Sequence, residues 1–173
     1  AALTTRLQST YLGGAGDDIA QTLAIHPATG EVYVAGFTDS ANLPGVAGGA
    51  QSVQSGGQDA FIARFNAALT ARLQSTYLGG TGDDIAVAFA IHGATGEVYV
   101  AGFSTSSNLS GNVNSGGQDA FVARFNPALN PAWFGSLMEL INIVTMLSII
   151  LTGAALIRER EHGTVEHLLV MPV

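Results

Sequence analysis

The stretch ALTTRLQSTYLGGAGDDIAQTLAIHPATGEVYVAGF at residues 2–37 returns as ALTARLQSTYLGGTGDDIAVAFAIHGATGEVYVAGF at residues 68–103. The offset is 66, and 30 of the 36 positions are identical. GGQDAFIARFN at 56–66 returns as GGQDAFVARFN at 116–126, now with an offset of 60. The six missing residues fall in the loop after Phe37 and Phe103. A third copy begins at Ala128-Leu129-Asn130-Pro131-Ala132-Trp133 and stops. Self-similarity at such a period marks a repeat architecture, in which each unit buries its faces on its neighbours.

Within a repeat, β-branched and aromatic residues cluster between Gly-rich turns, which predicts four strands. They run at about Arg6–Leu12, Ile19–Ile25, Glu31–Phe37 and Ala60–Phe65. In the second copy Ile85, Val87, Phe89 and Ile91 alternate with Ala86, Ala88 and Ala90, so both faces of that strand are apolar. A strand covered on both sides by close sheets has this pattern. His26-Pro27-Ala28-Thr29-Gly30 reads as a hairpin turn, and the loops at 38–58 and 104–118 are polar and of unequal length. Four antiparallel strands with two apolar faces describe a propeller blade. Together the strings STYLGGxGDDIAxxxAIHxxTGEVYVAGF and GGQDAFxARFN resemble the bacterial seven-bladed β-propeller (SBBP) repeat over residues 2–133. The resemblance implies an array on secreted or surface proteins, without a shared catalytic activity. Two blades do not close a ring of four to eight, so further blades or self-association are the expected partners.

Composition narrows the function. Hydrophobic residues make up 47% and charged residues 11%, with 22 Gly and no Cys among 173 residues. Charge-driven disorder, a disulfide framework and a thiolate zinc site are excluded. A net charge of −7, with no Lys, argues against a nucleic-acid surface.

GGAGDD at 13–18 and GGTGDD at 79–84 fit the start of the calcium-binding nonapeptide GGxGxD. Asp17, Asp18, Asp83 and Asp84 are therefore calcium candidates. Calcium takes six to eight oxygen ligands, and motifs 66 residues apart cannot stack directly. The competing reading is a Gly turn in which an Asp accepts nearby backbone N–H groups. Asp59 and Asp119 carry the same choice between cation ligand and turn cap. His26 and His92 read as satisfied loop residues, and Arg64 and Arg124 as covers of apolar surface paired with an acid. Every candidate recurs in both copies, as a structural motif does. Nothing assembles a nucleophile, a base and an oxyanion site, so the expectation is a non-enzymatic module without a cofactor.

At Trp133 the pattern changes. Phe134–Ile157 is an apolar run of 24 residues. As a helix it measures about 36 Å against a hydrocarbon core of about 30 Å. Glu139 and Asn142 share one helical face near its start. They read either as a polar face turned to a helix bundle or as headgroup-zone residues; a buried soluble helix is a third reading. Arg158 and Arg160 follow directly, which by the positive-inside rule places the C-terminus in the cytoplasm and the repeats outside. Gly163 ends one helix and Thr164 caps a short amphipathic one carrying Val165, Leu168 and Leu169. Arg158-Glu159-Arg160-Glu161, Gly163-Thr164, Glu166, Leu168-Leu169 and Pro172, after a membrane helix, resemble the type-two permease subunit of ATP-binding-cassette exporters. In that family this element is cytoplasmic and docks on the ATPase subunit. The resemblance implies coupling roles for Glu161, Gly163, Thr164 and Glu166.

The expected fold is thus mainly β: two four-stranded antiparallel blade-like repeats, at 1–66 and 67–132, then a transmembrane helix at 133–157 and a tail at 158–173. Such a chain belongs in a bacterial cell envelope, with the repeats extracytoplasmic. The alternative is a fragment or artificial fusion of an exporter permease, since the join at Trp133-Phe134 has no linker and the sequence starts without Met. About three repeats are needed for independent stability. Residues 1–132 alone are accordingly expected to melt at a temperature that rises with protein concentration; a cooperative melt unchanged by dilution would contradict the repeat argument.

Overall fold

Among the described residues the alternating segments become seven antiparallel strands. A computed structural model describes residues 3–129, together with 144–146 and 148. The strands are β1 (Asp18–Ile25), β2 (Val32–Thr38), β3 (Asp59–Phe65), β4 (Arg72–Leu78), β5 (Asp84–Ile91), β6 (Val98–Ser104) and β7 (Asp119–Phe125), with a 3-10 turn at Leu109–Gly111. Sheet one has the order β1-β2-β3-β4 and sheet two the order β5-β6-β7. The chain divides into two units, Ala1–Ala132 and Trp133–Val173. In the second unit, residues 144–146 and 148 are helical. Among the described residues no helix is long and apolar enough to cross a membrane. The expected membrane helix at 134–157 otherwise lies outside the described residues, as does the tail at 158–173.

The expected first strand does not form. Arg6–Leu12 joins no sheet, whereas the identical heptapeptide Arg72–Leu78 is β4. β4 pairs with β3 of the preceding repeat, with Phe61 opposite Tyr77, Ile62 opposite Thr76 and Ala63 opposite Ser75. A strand exists only where a neighbour offers its unpaired N–H and C=O groups. The outer edge of β3 makes that offer to Arg72–Leu78. No described strand makes it to Arg6–Leu12. Among the described residues sheet two consequently has three strands where four were expected, because Arg72–Leu78, the first strand expected of the second repeat, completes sheet one instead.

The two-residue period puts Tyr33, Ala35, Ala60 and Ile62 on the face of sheet one that meets sheet two. Sheet two answers with Ala86, Val98 and Val100, backed by Phe89, Phe121 and Phe125. The Tyr33 and Phe89 rings lie 5.7 Å apart, centroid to centroid. Each large side chain buried here contributes about 1.5–3 kcal/mol. The opposite face of sheet one carries Val32, Phe61, Ala63, Phe65 and Tyr77, with Leu12 and Leu69 against it. The segment after β7 is tied back to sheet one, since the Pro127 carbonyl accepts the Tyr33 hydroxyl at 2.8 Å and Arg64 Nη1 at 3.1 Å.

The alternation expected of β5 is broken by a bulge. The register with β6 shifts between Ala86 and Ala88, with Val87 the extra residue. Ala86 is fully buried and Val87 is exposed. β1 has the same shift between Ala20 and Thr22. The bulge brings the Ile85 carbonyl against the backbone of Gly102, and the Ile19 carbonyl against Gly36, where a Cβ would overlap the oxygen. Overpacking of this kind costs about 1–3 kcal/mol. Gly102→Ala should lower the melting temperature of the full chain by several degrees. Gly93→Ala, where no neighbour stands within 4 Å of the new Cβ, should leave it unchanged.

Candidate functional site

The two GGxGDD turns are built alike. Asp18 Oδ2 accepts the Gly14 N–H at 2.8 Å and the Ser40 hydroxyl at 3.0 Å, and Oδ1 accepts the Thr38 hydroxyl at 2.6 Å. Asp84 Oδ2 accepts the Gly80 N–H at 2.8 Å and the Ser106 hydroxyl at 2.7 Å. The second Asp of each motif therefore closes its own turn and fastens it to the loop after the third predicted strand. That loop wraps the turn from outside. Asn42 Oδ1 accepts the Ala15 N–H at 2.8 Å, Ser40 Oγ the Gly16 N–H at 2.8 Å and Asp39 Oδ1 the Asp17 N–H at 2.6 Å. Asn108, Ser106 and Thr105 do the same for Thr81, Gly82 and Asp83, at 3.0, 2.8 and 2.8 Å. These loop residues were not singled out from the sequence. Their signal was present: Ser40 and Asn42 keep the 66-residue offset to Ser106 and Asn108 inside loops of unequal length.

The first Asp of the second motif has a different task. Asp83 Oδ1 accepts the Gln58 N–H at 3.0 Å, just ahead of β3. The Gly57 N–H reaches the Gly82 carbonyl at 3.2 Å, and the Asp84 N–H reaches the Gln58 carbonyl at 2.6 Å. The second turn is thereby laced to the first repeat. Asp17 is exposed. Among the described residues, no three of His, Cys, Asp and Glu come together as a metal-binding group.

Asp59 and Asp119 cap turns. Asp59 Oδ2 accepts the Ser55 N–H at 2.9 Å and Gln51 Nε2 at 3.2 Å, and Asp119 Oδ2 accepts the Ser115 N–H at 2.6 Å. His26 Nδ1 accepts the Ala28 and Thr29 N–H groups, each at 3.3 Å, and His92 Nδ1 accepts the Thr95 N–H at 3.2 Å. Arg64 pairs with Glu31 at 3.6 Å and Arg124 with Glu97 at 3.7 Å. An apolar groove of about 550 Å³ opens on the free face of sheet one, between Leu12 and the side chains of Val32, Val34, Phe61, Phe65 and Leu69. Glu161, Gly163, Thr164 and Glu166 lie outside the described residues.

No protein-family model matches the chain. It is 76% identical over 50 residues to the inner membrane transport permease YhhJ of Escherichia coli, and equally to that of Shigella flexneri. The match takes in 29% of this chain and 13% of each permease. It supports the permease resemblance of the sequence. The chain is also 37% identical over 99 residues to the regulatory protein FlaEY of Caulobacter vibrioides, covering 56% of this chain and 10% of that protein. The chain thus spans a small part of the length of each curated relative.

The charge at Asp59 has a consequence for stability. Burial, and secondarily the negative charge of Asp84, push its carboxyl up to about 7, against the hydrogen bonds from Ser55 and Gln51. Asp59 Oδ1 and Asp84 Oδ1 are both buried without a hydrogen-bond partner. Between the ordinary value of 3.8 and about 7, the folded chain holds a proton on Asp59 that the unfolded chain has released. Stability contributed by this group is complete below that window and falls by about 1.4 kcal/mol per pH unit as pH rises through it. Asp59→Asn keeps an acceptor for Ser55 and Gln51 and removes the charge. The variant should melt higher than the parent at pH 8 and lose the downward slope between pH 4 and 7; a slope retained in the variant would assign the titration elsewhere.

Proposed function

We propose that the chain is a non-enzymatic, extracytoplasmic β-propeller-repeat module for binding or scaffolding, tethered to a bacterial envelope membrane by residues 134–157. The single observation that supports this reading is how its repeated polar residues are used. Asp18, Ser40 and Asn42, and their counterparts Asp84, Ser106 and Asn108 at the 66-residue offset, are engaged in closing turns, and Asp83 laces one repeat to the next. A module spending its carboxylates on its own backbone presents surface rather than chemistry. Two sheets stacked through apolar faces are what consecutive blades require. The apolar groove on sheet one is then a blade face awaiting its neighbour.

A second reading has its own support. The 76% identity to an inner membrane permease favours a piece of an exporter permease. In that reading Glu161, Gly163, Thr164 and Glu166 dock on an ATPase subunit, and the repeats replace an external segment.

Both readings share a topology, and spheroplasts test it. The full chain, with an epitope after Val173, should sediment with membranes and resist alkaline extraction. External protease should degrade the repeats and leave the epitope protected. Repeats protected in intact spheroplasts, or a chain released at alkaline pH, would overturn the tethered arrangement. Co-purification with a co-expressed exporter ATPase, lost in Glu161→Ala, would decide for the permease reading.

A further inference from the structure

The edge of β7 and the segment Arg6–Leu12 are the two halves of a pairing that the chain already makes once. RLQSTYL at 6–12 is identical to RLQSTYL of β4, and DAFVARF of β7 differs from DAFIARF of β3 only at Val122, the counterpart of Ile62. β4 and β3 pair. Among the described residues, neither Arg6–Leu12 nor the outer edge of β7 is paired with a strand. Sheet one stands between Leu12, on its free face, and sheet two, on the other. We propose that copies of this chain join head to tail, with Arg6–Leu12 of one copy pairing antiparallel with β7 of the next as its fourth strand. The inference uses only residues 3–129 and stands apart from the membrane tether.

Three independent features fit this occupant. The first is Tyr11. Its counterpart Tyr77 is 0% exposed, donates its hydroxyl to the Ser40 carbonyl at 2.6 Å and accepts the Leu43 N–H at 2.8 Å. Tyr11 is 101% exposed. At the matching place beside β7 lies a cavity of about 120 Å³, lined by Ser106, Leu109 and Phe121, the counterparts of Ser40, Leu43 and Phe61. A Tyr11 donated by another copy enters that cavity.

The second feature is the sheet faces. Within the chain, Tyr33, Ala35 and Ile62 of sheet one pack on Val98, Val100 and Phe121 of sheet two. Their counterparts on the outer side of sheet two are Tyr99, Ala101 and Val122. Val122 is 76% exposed where Ile62 is 0% exposed. The counterparts of Val98, Val100 and Phe121 are Val32, Val34 and Phe61, which line the 550 Å³ groove on sheet one. The outer face of one copy therefore complements the groove of the next. The same repeat operator brings the strand to the edge and the face to the groove.

The third feature is the lacing of the turn. Asp83 holds the Gln58 N–H, at 3.0 Å. The counterparts Asp17 and Gln118 are both exposed. They meet when the strand is donated. Such a contact is heterologous, so it closes into a ring or continues as a filament. Every assembly holds an even number of sheets, and rings of two, three or four copies match the known range of four to eight blades.

The chain has no Cys, so introduced thiols report alone. The in-chain pair Ala63 and Ser75 maps onto Ala123 and Ser9. Full-length Ser9→Cys and Ala123→Cys chains, purified in mild detergent, are mixed and oxidised. The expected product is a disulfide-linked dimer, at least tenfold more abundant than in either variant alone. The double variant should give a ladder of multiples of 17.7 kDa. The N–H groups of Ser75 and Tyr77 bond to the carbonyls of Gly45 and Gln51, so the intervening Thr76 N–H faces β3. Thr10→Pro removes the corresponding donor and should abolish the ladder while leaving the β circular dichroism of the copy intact. Ala63→Cys with Ser75→Cys is the positive control, since it should close within one chain. Failure of the mixed variants to link while that control closes would overturn the proposal. So would a ladder that survives Thr10→Pro, or a double variant that links only within a single chain because its own segment covers β7.

Discussion

Everything in the folded part depends on β4 pairing with β3. Arg72–Leu78 follows the first repeat in sequence yet completes its sheet in space. The pairing satisfies the outer edge of β3, which would otherwise expose a row of unpaired backbone groups. It also carries the chain from one sheet to the next. β5 starts six residues after β4 ends, at a turn held by Gly80, Asp84 and Ser106. The staggered pairing thus fixes both the completion of sheet one and the placement of sheet two upon it.

Long-loop geometry reinforces that strand. The loop between β2 and β3 runs along the outer edge of β4, with the Ser75 N–H on Gly45 and the Tyr77 N–H on Gln51. Gln51 also accepts the Gly79 N–H and reaches Asp59, so one side chain connects the loop, the strand end and the buried acid. The corresponding loop of the second repeat is six residues shorter. It makes a 3-10 turn at Leu109–Gly111, and among the described residues the outer edge of β7 carries no further strand for the loop to cover.

The β class, the hairpins and the positions of all seven described strands were legible because period-two alternation and Gly-rich turns are local signals. The fate of Arg6–Leu12 was not, since an identical heptapeptide is a strand in one place and unpaired in the other. Only the presence of a neighbouring edge separates them, and propensity carries no record of neighbours. The bulge at Val87 was missed for a related reason. It sits across the sheet from Gly102, whose lack of a Cβ leaves room for the Ile85 carbonyl, and the apolar pattern of β5 holds no record of that neighbour. At the candidate site, the Asp residues of GGxGDD were found from the motif, and their roles as turn locks were one of the two readings it allowed. Their Ser and Asn partners sat in loops whose unequal length hid a shared core. The permease-like segment was read from its charged tail, and the chain's similarity over 50 residues to an inner membrane permease supports that resemblance.

The duplicated heptapeptide also bears on how the chain finds its register. During folding, Arg6–Leu12 and Arg72–Leu78 compete for the same edge of β3. Sequence chemistry cannot choose between them, because they are the same sequence. Chain entropy can. Residues 66–71 connect β3 to β4, whereas residues 13–58 separate Arg6–Leu12 from β3. Closing the longer loop costs about 1.8 kcal/mol more, which favours the near segment by roughly twentyfold. Selection by connector length is also a timing device: the near segment closes first, and the far segment is left over. A repeat copied this faithfully is kept in order by the shortness of its hairpin rather than by any difference in its side chains.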